Sequence, residues 1–548
     1  MGTIETNPTD WDQLSAEETR AMIRRAAGEM GELVRTTLGP FGRDKMVVRR
    51  MQDDTIRSFV SNDGIAILEE FEGETSHPVA DQFIRLAEDH EDEYGDGSTA
   101  AVVYASELLQ TGMDLIDRGV PPVDVIEGFS IGAQRTLEVW TDRSLPLTSA
   151  ARPTAPADFD ADRMRSVAWS GMTNGRTGDW PLEGVVDDVL EATYRAWEPA
   201  RGSVDLSYVR TEAIPGGDSA TTELLPGVLL PAEPMRAEYL LPVDGDVLLI
   251  HGDLKPRGVR SNSLSMSVDD AAVVEQLERE TELIADSIAV SGASAVFVTG
   301  DVTHDLAVEL ARHDVLTFRN VKRNHLEYLS RVTGARIRGT VSSGEPATAA
   351  EVGRATVRTM AAQGEKTWLA VTAPDGADPG CVQLVVRGGT ESVAEEAERR
   401  IKGGLNATRA AIKRPEALVG GGAADLEAAA AVRELAPRFD GREQLAVEEF
   451  ADVLESIPRT LARNAGHDPI DAMVDLRTRH DAGLERAGID AAGDIVDDTV
   501  DSGGALDAFV VRTSGLVRSL EFANSLLTID SVLIDHRPAI DPEDMPWS

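Results

Sequence analysis

Three glycine-rich turns carry the residue types that a polyphosphate group requires. The first runs from Thr36 to Met46, the second from Gly95 to Thr99, and the third, Gly420–Gly422, lies near the other end of the chain. Glycines let backbone N–H groups come close to a ligand, and a helix that begins after such a turn adds the positive end of its dipole. Each turn alone is a weak signal, because such turns most often only redirect the chain.

The elements around the first two turns are predicted to be mainly helical. Ser15 and Glu18 form a capping box ahead of an apolar series at helical spacing that stops at the first turn. Two short strands, 46–48 and 56–60, precede a turn in which Asp63 begins another helix, and the commonest role of an Asp there is to cap it. Helices over 79–93 and 100–109 flank the second turn.

The middle of the chain predicts a different architecture. Segments rich in Pro, Ala, Thr and Gly at 145–158 and 214–217 mark two domain boundaries. Between the second boundary and about residue 365, strands alternate with helices, which is typical of an α/β domain. The strands are 247–250, 295–298 and 315–318, and the helices are 269–291, 303–312 and 323–333. The third turn follows this insert, so a phosphate site exists only if the two helical outer parts fold together.

Composition limits the classes of partner. The 548 residues predict about three domains, and 95 acidic against 53 basic residues give a net charge of −42. Such a surface opposes binding to DNA, RNA or anionic lipid. The bases are mostly arginine, which suits concentrated salt and predicts the cytoplasm of a halophile. The single cysteine, Cys381, excludes an intrachain disulfide, and neither a secretory leader nor a membrane span is expected.

Several motifs occur together in the order found in one protein family. They are Thr36–Met46, Asn62–Gly64, Gly95–Thr99, Arg387–Glu391, Gly420–Ala423, Ile457–Ala462, Asn464–Gly466 and Asp468–Asp471. In sequence and order they resemble the group II chaperonins, which include the thermosome subunits and their eukaryotic cytosolic relatives. The resemblance covers nearly the whole chain, with close motifs in both outer parts.

The resemblance implies an α+β, multidomain chaperonin fold. A mainly helical equatorial domain would comprise 1–146 and 405–548, a small intermediate domain 147–213 and 366–404, and an α/β apical domain 214–365. The helix at 269–291 would belong to a helical lid. The implied function is that of an ATP-binding subunit that assists protein folding inside a double-ring chamber, with unfolded proteins and related subunits, in homo- or hetero-oligomeric rings, as partners.

The resemblance also assigns roles to residues around ATP and Mg²⁺, with K⁺ as a further candidate ion. Asp96 would hold the magnesium ion, Asp63 would position the attacking water, and Asp497 would lie near the ribose. These roles suit carboxylates, because phosphoryl transfer to water depends on positioning and charge neutralisation. The residues expected along the nucleotide are Leu38, Gly39, Pro40, Gly42, Gly97, Ser98, Thr99, Gly421 and Gly422.

Two departures from the family pattern leave an alternative open. The second water-activating acid of the family is replaced by Gly403, with Asn406 one turn later as a weak substitute. Loss of a positioned base typically costs about 10²–10⁴-fold in rate, so slow or absent hydrolysis is expected. The chain would then be a hydrolysis-deficient structural or regulatory subunit of a mixed ring. No apolar strand is expected before Ser15, where the family has one that joins a neighbouring subunit, so a holdase that needs no ring is a further alternative.

Overall fold

The computed structural model describes residues 11–50, 56–71, 77–173, 182–217, 221–235, 242–256, 271–339, 341, 346–363, 366–503 and 505–535. Its contacts divide the chain into two compact units. The terminal unit comprises Met1–Asp179 and Arg400–Ser548, and the central unit comprises Trp180–Arg399. Both ends of the chain therefore belong to one unit, as a site built from all three turns requires. The finer division into equatorial, intermediate and apical domains stays a prediction.

The helices of the described residues lie mainly in the terminal unit, and a smaller number lie in the central unit. They are α1 (Ala16–Arg35), α2 (Gly64–Glu69), α3 (Pro78–Tyr94), α4 (Ser98–Asp117), α5 (Pro122–Arg143), α6 (Ala161–Met172), α7 (Leu182–Arg195), α8 (Ala271–Val290), α9 (His304–Arg312), α10 (Arg323–Thr333), α11 (Glu391–Lys413), α12 (Ala423–Leu435), α13 (Glu443–Leu454), α14 (Ser456–Asn464), α15 (Pro469–Asp481), α16 (Thr499–Gly503) and α17 (Phe509–Leu527).

The strands concentrate in the central unit. They are β1 (Trp11–Leu14), β2 (Lys45–Arg50), β3 (Ile56–Ser61), β4 (Leu145–Pro146), β5 (Trp197–Glu198), β6 (Ser203–Val204), β7 (Val209–Pro215), β8 (Glu223–Leu225), β9 (Gly227–Pro231), β10 (Val243–Ile250), β11 (Ala293–Val298), β12 (Leu316–Phe318), β13 (Ile337–Arg338), β14 (Gly353–Gln363), β15 (Lys366–Thr372), β16 (Val382–Gly388), β17 (Glu416–Val419), β18 (Gly488–Ile489), β19 (Ile495–Val496), β20 (Leu506–Ala508) and β21 (Val532–Asp535).

The core of the terminal unit joins the two ends of the chain. Helix α4 packs between α1 and α17, and α5 packs on α12 and α13. Phe83 of α3 meets Phe522 of α17 with ring centroids 4.7 Å apart, and Phe129 of α5 lies 5.9 Å from Phe450 of α13. Helices from the N-terminal part thus bury their apolar faces against helices from the C-terminal part, so neither part has a complete core alone.

Local signals in the outer parts of the chain are confirmed. The Ser15 side chain accepts a hydrogen bond from the backbone N–H of Glu18, and the Glu18 carboxylate accepts one from the N–H of Ser15 at 2.9 Å. The two predicted strands after the first turn form the antiparallel hairpin β2–β3. The chain also has the predicted mixture of helices and strands, which agrees with the α+β, multidomain class.

The expectation that no strand precedes Ser15 is wrong. Residues Trp11–Leu14 form β1, which pairs in antiparallel register with β21, so that Leu14 lies opposite Val532. The segment is only four residues long and has two polar residues, Asp12 and Gln13, in its centre, so its own pattern is a weak strand signal. Its partner is at the other end of the chain, and only the closed terminal unit brings the two together.

The central unit is built on a mixed sheet with the strand order β12-β11-β10-β14-β15-β9. Strands β10, β11 and β12 are parallel, whereas β14, β15 and β9 pair in antiparallel fashion. The rings of Phe297 and Phe318 stack in its core with centroids 4.6 Å apart. The strands and helices predicted for this part of the chain are present, with small shifts at their ends.

The helix expected at 269–291 forms as α8 over Ala271–Val290, while residues 269 and 270 lie outside the described residues. Ile284, Ala285 and Ile288 of its second half are buried against the sheet. That half belongs to the core of the central unit, and the lid role of the helix stays a prediction. In the described residues, no helix is both long and apolar enough for a membrane span.

Candidate nucleotide site

The first turn is closed by its own backbone and held by α14. Arg43 N–H donates to Thr36 O at 2.7 Å, and Gly42 N–H donates to Gly39 O at 2.9 Å, on either side of Pro40. Gly39 has a φ of +78°, which favours glycine, and a Cβ there would lie 2.3 Å from Leu461 Cδ2. The turn therefore has room for backbone alone at this point.

The second turn links α3 to α4 through three residues, Gly95–Gly97. Gly95 ends α3 with a φ of +65°, and Gly97 begins α4 with a φ of +82°, so only Asp96 separates two left-handed glycines. Ser98 and Thr99 are the first residues of α4. The N-cap residue of this helix is Gly97, which has no side chain to cap the first amide groups. A Cβ on Gly97 would lie 2.6 Å from Val511 of α17. This helix N-terminus suits an anionic ligand.

Asp63 lies where the first and second turns meet. Its side chain accepts a hydrogen bond from Ile65 N–H at 3.2 Å, so the capping role is confirmed. On the adjacent Gly64, a Cβ would lie 2.4 Å from Thr99 Oγ1 and 3.3 Å from Thr37 Oγ1. Residues from three separate sequence motifs therefore contact one another here. The role of Asp63 in positioning water stays a prediction.

The third turn is linked to the first by α14. Gly421 and Gly422 have φ values of +67° and +84°, and Gly422 begins α12 without a side-chain cap. A Cβ on Gly422 would lie 2.5 Å from Pro458 of α14, the helix that also contacts Gly39. The structure thus connects all three turns through direct contacts, which is what the chemistry requires.

Glu91 is an acid of this region that sequence reasoning missed. Burial is the largest cause of a pKa raised to about 7, to which the carboxylates of Asp63 and Asp96 also contribute, while a hydrogen bond with Ser98 opposes the shift. Both acids selected from the sequence are therefore near enough to Glu91 for their charges to act on its carboxyl group. Its place in the last turn of an acidic helix, four residues before Gly95, is the signal that could have identified it.

Gly403 does not face the turns but packs against another helix. A Cβ on Gly403 would lie 2.4 Å from the carbonyl oxygen of Gly171 in α6. Asn406, one turn later on α11, reaches the second turn instead: its Nδ2 donates to Gly95 O at 3.4 Å. The α11 side chain at the site is therefore an uncharged amide, and the position expected to hold an acid has no room for a side chain.

The acid predicted near the ribose, Asp497, is largely exposed and pairs with Arg479. A second acid lies on a strand next to the third turn. Asp507 of β20 is opposite Leu418 of β17, the strand that leads directly into Gly420, and Arg512 Nη1 lies 3.7 Å from its carboxylate. Asp507 is therefore a further candidate for this side of the site, and the role of Asp497 stays a prediction.

The residues present fit a nucleotide with its magnesium ion. Two helices, α4 and α12, begin after left-handed glycines at which a Cβ would overlap Val511 or Pro458, and the absence of a side chain there lets their amide groups approach a phosphate closely. Within the described residues no group of three or more His, Cys, Asp or Glu side chains could hold a metal ion alone. A magnesium ion bound by one carboxylate and by phosphate oxygens needs no such group.

The comparison with known proteins settles the family. The family model of the TCP-1/cpn60 chaperonins matches residues 30–537. The chain belongs to this chaperonin family. A thermosome subunit of Methanopyrus kandleri is 33% identical over 539 residues, which covers 96% of this chain and 94% of that protein. Thermosome subunit 1 of Haloferax volcanii is 34% identical, with coverage of 96% and 90%. Thermosome subunit alpha of Halobacterium salinarum is 33% identical, with the same coverage.

Acid should weaken this chaperonin through a histidine behind the second turn. His90 is fully buried, and burial lowers its pKa to about 4, with a smaller contribution from Arg518. An unfolded His titrates near 6.5, so between pH 6.5 and pH 4 the unfolded chain binds a proton that the folded chain does not. This contribution to stability is complete above pH 6.5 and is lost as the pH falls, by about 2 kcal/mol at pH 5.

Denaturant unfolding at pH 7 and pH 5 tests this prediction. The loss of unfolding free energy between the two pH values should be smaller in His90→Gln than in the parent, whereas the exposed His304→Gln should behave like the parent. Equal losses in His90→Gln and the parent would contradict the prediction.

Proposed function

We propose that this chain is an ATP-binding chaperonin subunit that assists protein folding in a ring. The observation that carries the proposal is the meeting of three glycine turns, two of which begin helices with positive φ and no side-chain cap. Helix N-termini of this kind attract phosphate, and the α4 turn adds a carboxylate for a divalent cation. ATP with Mg²⁺ is the ligand that this set of residues suits, and K⁺ is a further candidate ion.

The side chains have distinct proposed tasks. Asp96 holds the magnesium ion, and Gly97, Ser98 and Thr99 bind phosphate oxygens. Leu38, Gly39, Pro40 and Gly42 of the first turn line the phosphates. Gly421 and Gly422 lie along the nucleotide. When bound, the ion neutralises charge that develops on the phosphates. Asp63 positions the water, and its place beside Asp96 and Glu91 supports that task.

Two surfaces support ring assembly and substrate binding. The β2–β3 hairpin exposes Met46, Val48, Ile56 and Val60 on one face, and the separate β1–β21 ribbon has open edges. Two-stranded sheets are unstable alone, and their open edges favour pairing with a strand of another chain. In the central unit, α8 exposes Leu283 and Val290, which suits unfolded polypeptide. The proposed partners are thus unfolded proteins and related subunits, in homo- or hetero-oligomeric rings.

The proposed setting is the cytoplasm of a halophile. The net charge of −42 leaves the folded chain strongly self-repelling in dilute buffer, and concentrated salt screens this repulsion. The same charge disfavours nucleic acid and anionic membranes as partners. The finer assignment to a haloarchaeal paralogue rests on this composition.

The alternative proposal is a subunit that binds ATP without hydrolysing it. It rests on the absence of an acid on α11 near the second turn, where Gly403 packs on α6 and Asn406 contacts Gly95. An amide can orient water but does not accept its proton. Such a subunit would occupy a mixed ring and depend on active partners.

ATP turnover in molar KCl with Mg²⁺ tests the proposal. The parent is expected to bind ATP, and turnover, where present, should fall by about 10²-fold or more in Asp96→Ala because the metal site is lost. Asp92→Ala, which removes an exposed acid near the end of α3, should have the same turnover as the parent.

The outcomes distinguish an active chaperonin from a subunit that binds ATP without hydrolysing it. Turnover in the parent supports an active chaperonin, and binding without turnover supports the alternative. Absence of ATP binding contradicts both. The native mass of the same preparation tests the ring, because a monomer with full ATP binding would contradict ring assembly alone.

A further inference from the structure

Helix α14 contains a sequence motif, Ile457–Ala462 with Asn464, for which the proposed nucleotide contacts provide no role. Its residues lie on the helix at a spacing of three, so that Pro458, Leu461 and Asn464 share one face. This face contacts the third turn at one end and the first turn at the other. Pro458 meets Gly422, and Leu461 meets Gly39, each so closely that a Cβ on the glycine would overlap the α14 residue.

Asn464 makes the polar part of this contact. Its Nδ2 donates to Leu38 O at 2.9 Å and to Arg35 O at 3.1 Å. The residue is only 9% exposed. These two carbonyls belong to the end of α1 and to the first turn, where helix carbonyls lack partners within their own helix. The amide therefore closes the end of α1 and ties the first turn to α14.

The other end of α14 is fixed as firmly. Glu455, directly before the helix, is buried, and it receives hydrogen bonds from Arg433 at 2.5 Å and from Arg477 Nε at 2.8 Å. Burial alone would raise the pKa of Glu455, but the hydrogen bonds from Arg477 and Arg433 hold it below its ordinary value. The carboxylate stays charged and paired, so α14 is a rigid connection between the two turns.

We infer that Asn464 is a positioning residue of the nucleotide site, which holds the first glycine turn at a set distance from the third through α14. The inference rests on the proposed function, since it assigns the motif to ATP binding. Asn464 does not touch the nucleotide in this role. It acts through the backbone around the first turn: without the amide, Leu38 O and Arg35 O would each lose a hydrogen bond, and Arg35 O would keep only its bond of 3.3 Å from the N–H of Leu38.

Equilibrium titration with ATP in molar KCl and Mg²⁺, together with hydrogen exchange of residues 36–43 without nucleotide, tests the inference. Asn464→Asp keeps the shape of the side chain but removes its donor, and it should weaken ATP binding about tenfold or more. The amides of 36–43 should exchange faster. Leu461→Ala, a second variant that leaves the amide in place, should weaken binding about threefold to tenfold.

The control is Asn524→Ala, which removes an amide from α17 more than three turns beyond Val511; its affinity and exchange should equal those of the parent. Variants that lower the melting temperature but keep the parent's ATP affinity and exchange at 36–43 would overturn the inference and leave the proposed function intact. A parent that binds no ATP would overturn the proposed function, and the positioning role with it.

Discussion

Replacement of Gly403 by aspartate is expected to destabilise the terminal unit by about 3 kcal/mol or more and to leave ATP turnover at the parent's level. The resemblance suggests the opposite, since it has an acid at this position that takes part in hydrolysis. In the structure, however, a Cβ on Gly403 would lie 2.4 Å from Gly171 O. A backbone oxygen cannot move aside without shifting α6, and interiors packed at this density tolerate such shifts poorly.

The carboxylate introduced by Gly403→Asp lowers the stability of the terminal unit for a second reason. It would enter the contact between α6 and α11, where the neighbour of Gly403 is the carbonyl group of Gly171 and where Ala407 and Met172 pack against the adjacent glycines. A buried carboxylate without partners costs several kcal/mol or becomes protonated, and a protonated acid held against a carbonyl does not orient water. Restoring hydrolysis would therefore require a change in the packing of α6 as well as in residue 403.

Thermal or denaturant unfolding of three variants measures this effect. Gly403→Ala gains about 1 kcal/mol of helix propensity but meets the same oxygen, so a net loss of about 1–2 kcal/mol is expected. Gly184→Ala in α7 has no atom within 4 Å of the new Cβ and should be neutral or slightly stabilising. If Gly403→Ala is as stable as the parent, or if Gly403→Asp gains turnover, the α6–α11 contact does not limit this site.

Replacement of Asp425 by alanine is expected to destabilise the terminal unit by about 3–5 kcal/mol. The Asp425 carboxylate is buried in α12 and accepts hydrogen bonds from Arg512 Nη2 at 2.6 and 2.7 Å. It also accepts one from the Tyr104 hydroxyl, and burial raises the pKa of that phenol well above its ordinary value, so the hydroxyl stays a donor. Without Asp425, the guanidinium and the hydroxyl would remain buried without their acceptor.

This network joins three helices from both ends of the chain. Tyr104 comes from α4, Asp425 from α12 and Arg512 from α17, and α4 and α12 are the helices that begin at the second and third turns. Its loss should therefore affect both the core and the orientation of the site. Asp425→Asn, which keeps the shape and part of the hydrogen bonding, should cost less than Asp425→Ala.

Denaturant midpoints of the parent and the two Asp425 variants test this prediction. Glu29→Ala is the matched control, because Glu29 pairs with Arg25 on the exposed face of α1 and its loss should leave the midpoint unchanged. A midpoint for Asp425→Ala within error of the parent's would show that the buried network contributes nothing to stability.

The site illustrates what could be predicted from local sequence. The glycines of the turns were identifiable from the sequence because a positive φ favours glycine. Asp63 was identifiable as a helix cap because an Asp side chain accepts hydrogen bonds from the first amide groups of the helix that follows it. The metal-binding role of Asp96 came from the family resemblance of its motif and stays a prediction. By contrast, Asp507 has no local signal for a site, Glu91 has only its position near the second turn, and Asn464 belongs to a motif without an assigned role. Each becomes relevant only through contacts with residues that are distant in sequence.

The same division holds for the fold. Hydrophobic periodicity and turn residues determined most helices and strands, because these properties depend on near neighbours. The exclusion of nucleic acid and membranes as partners rests on net charge and stays a prediction. Only the tertiary structure decided that β1 pairs with β21, that α14 spans the first and third turns, and that Gly403 packs on Gly171. Those contacts join segments up to about five hundred residues apart, and the close packing that fixes them is a property of the assembled core, which a linear pattern does not encode.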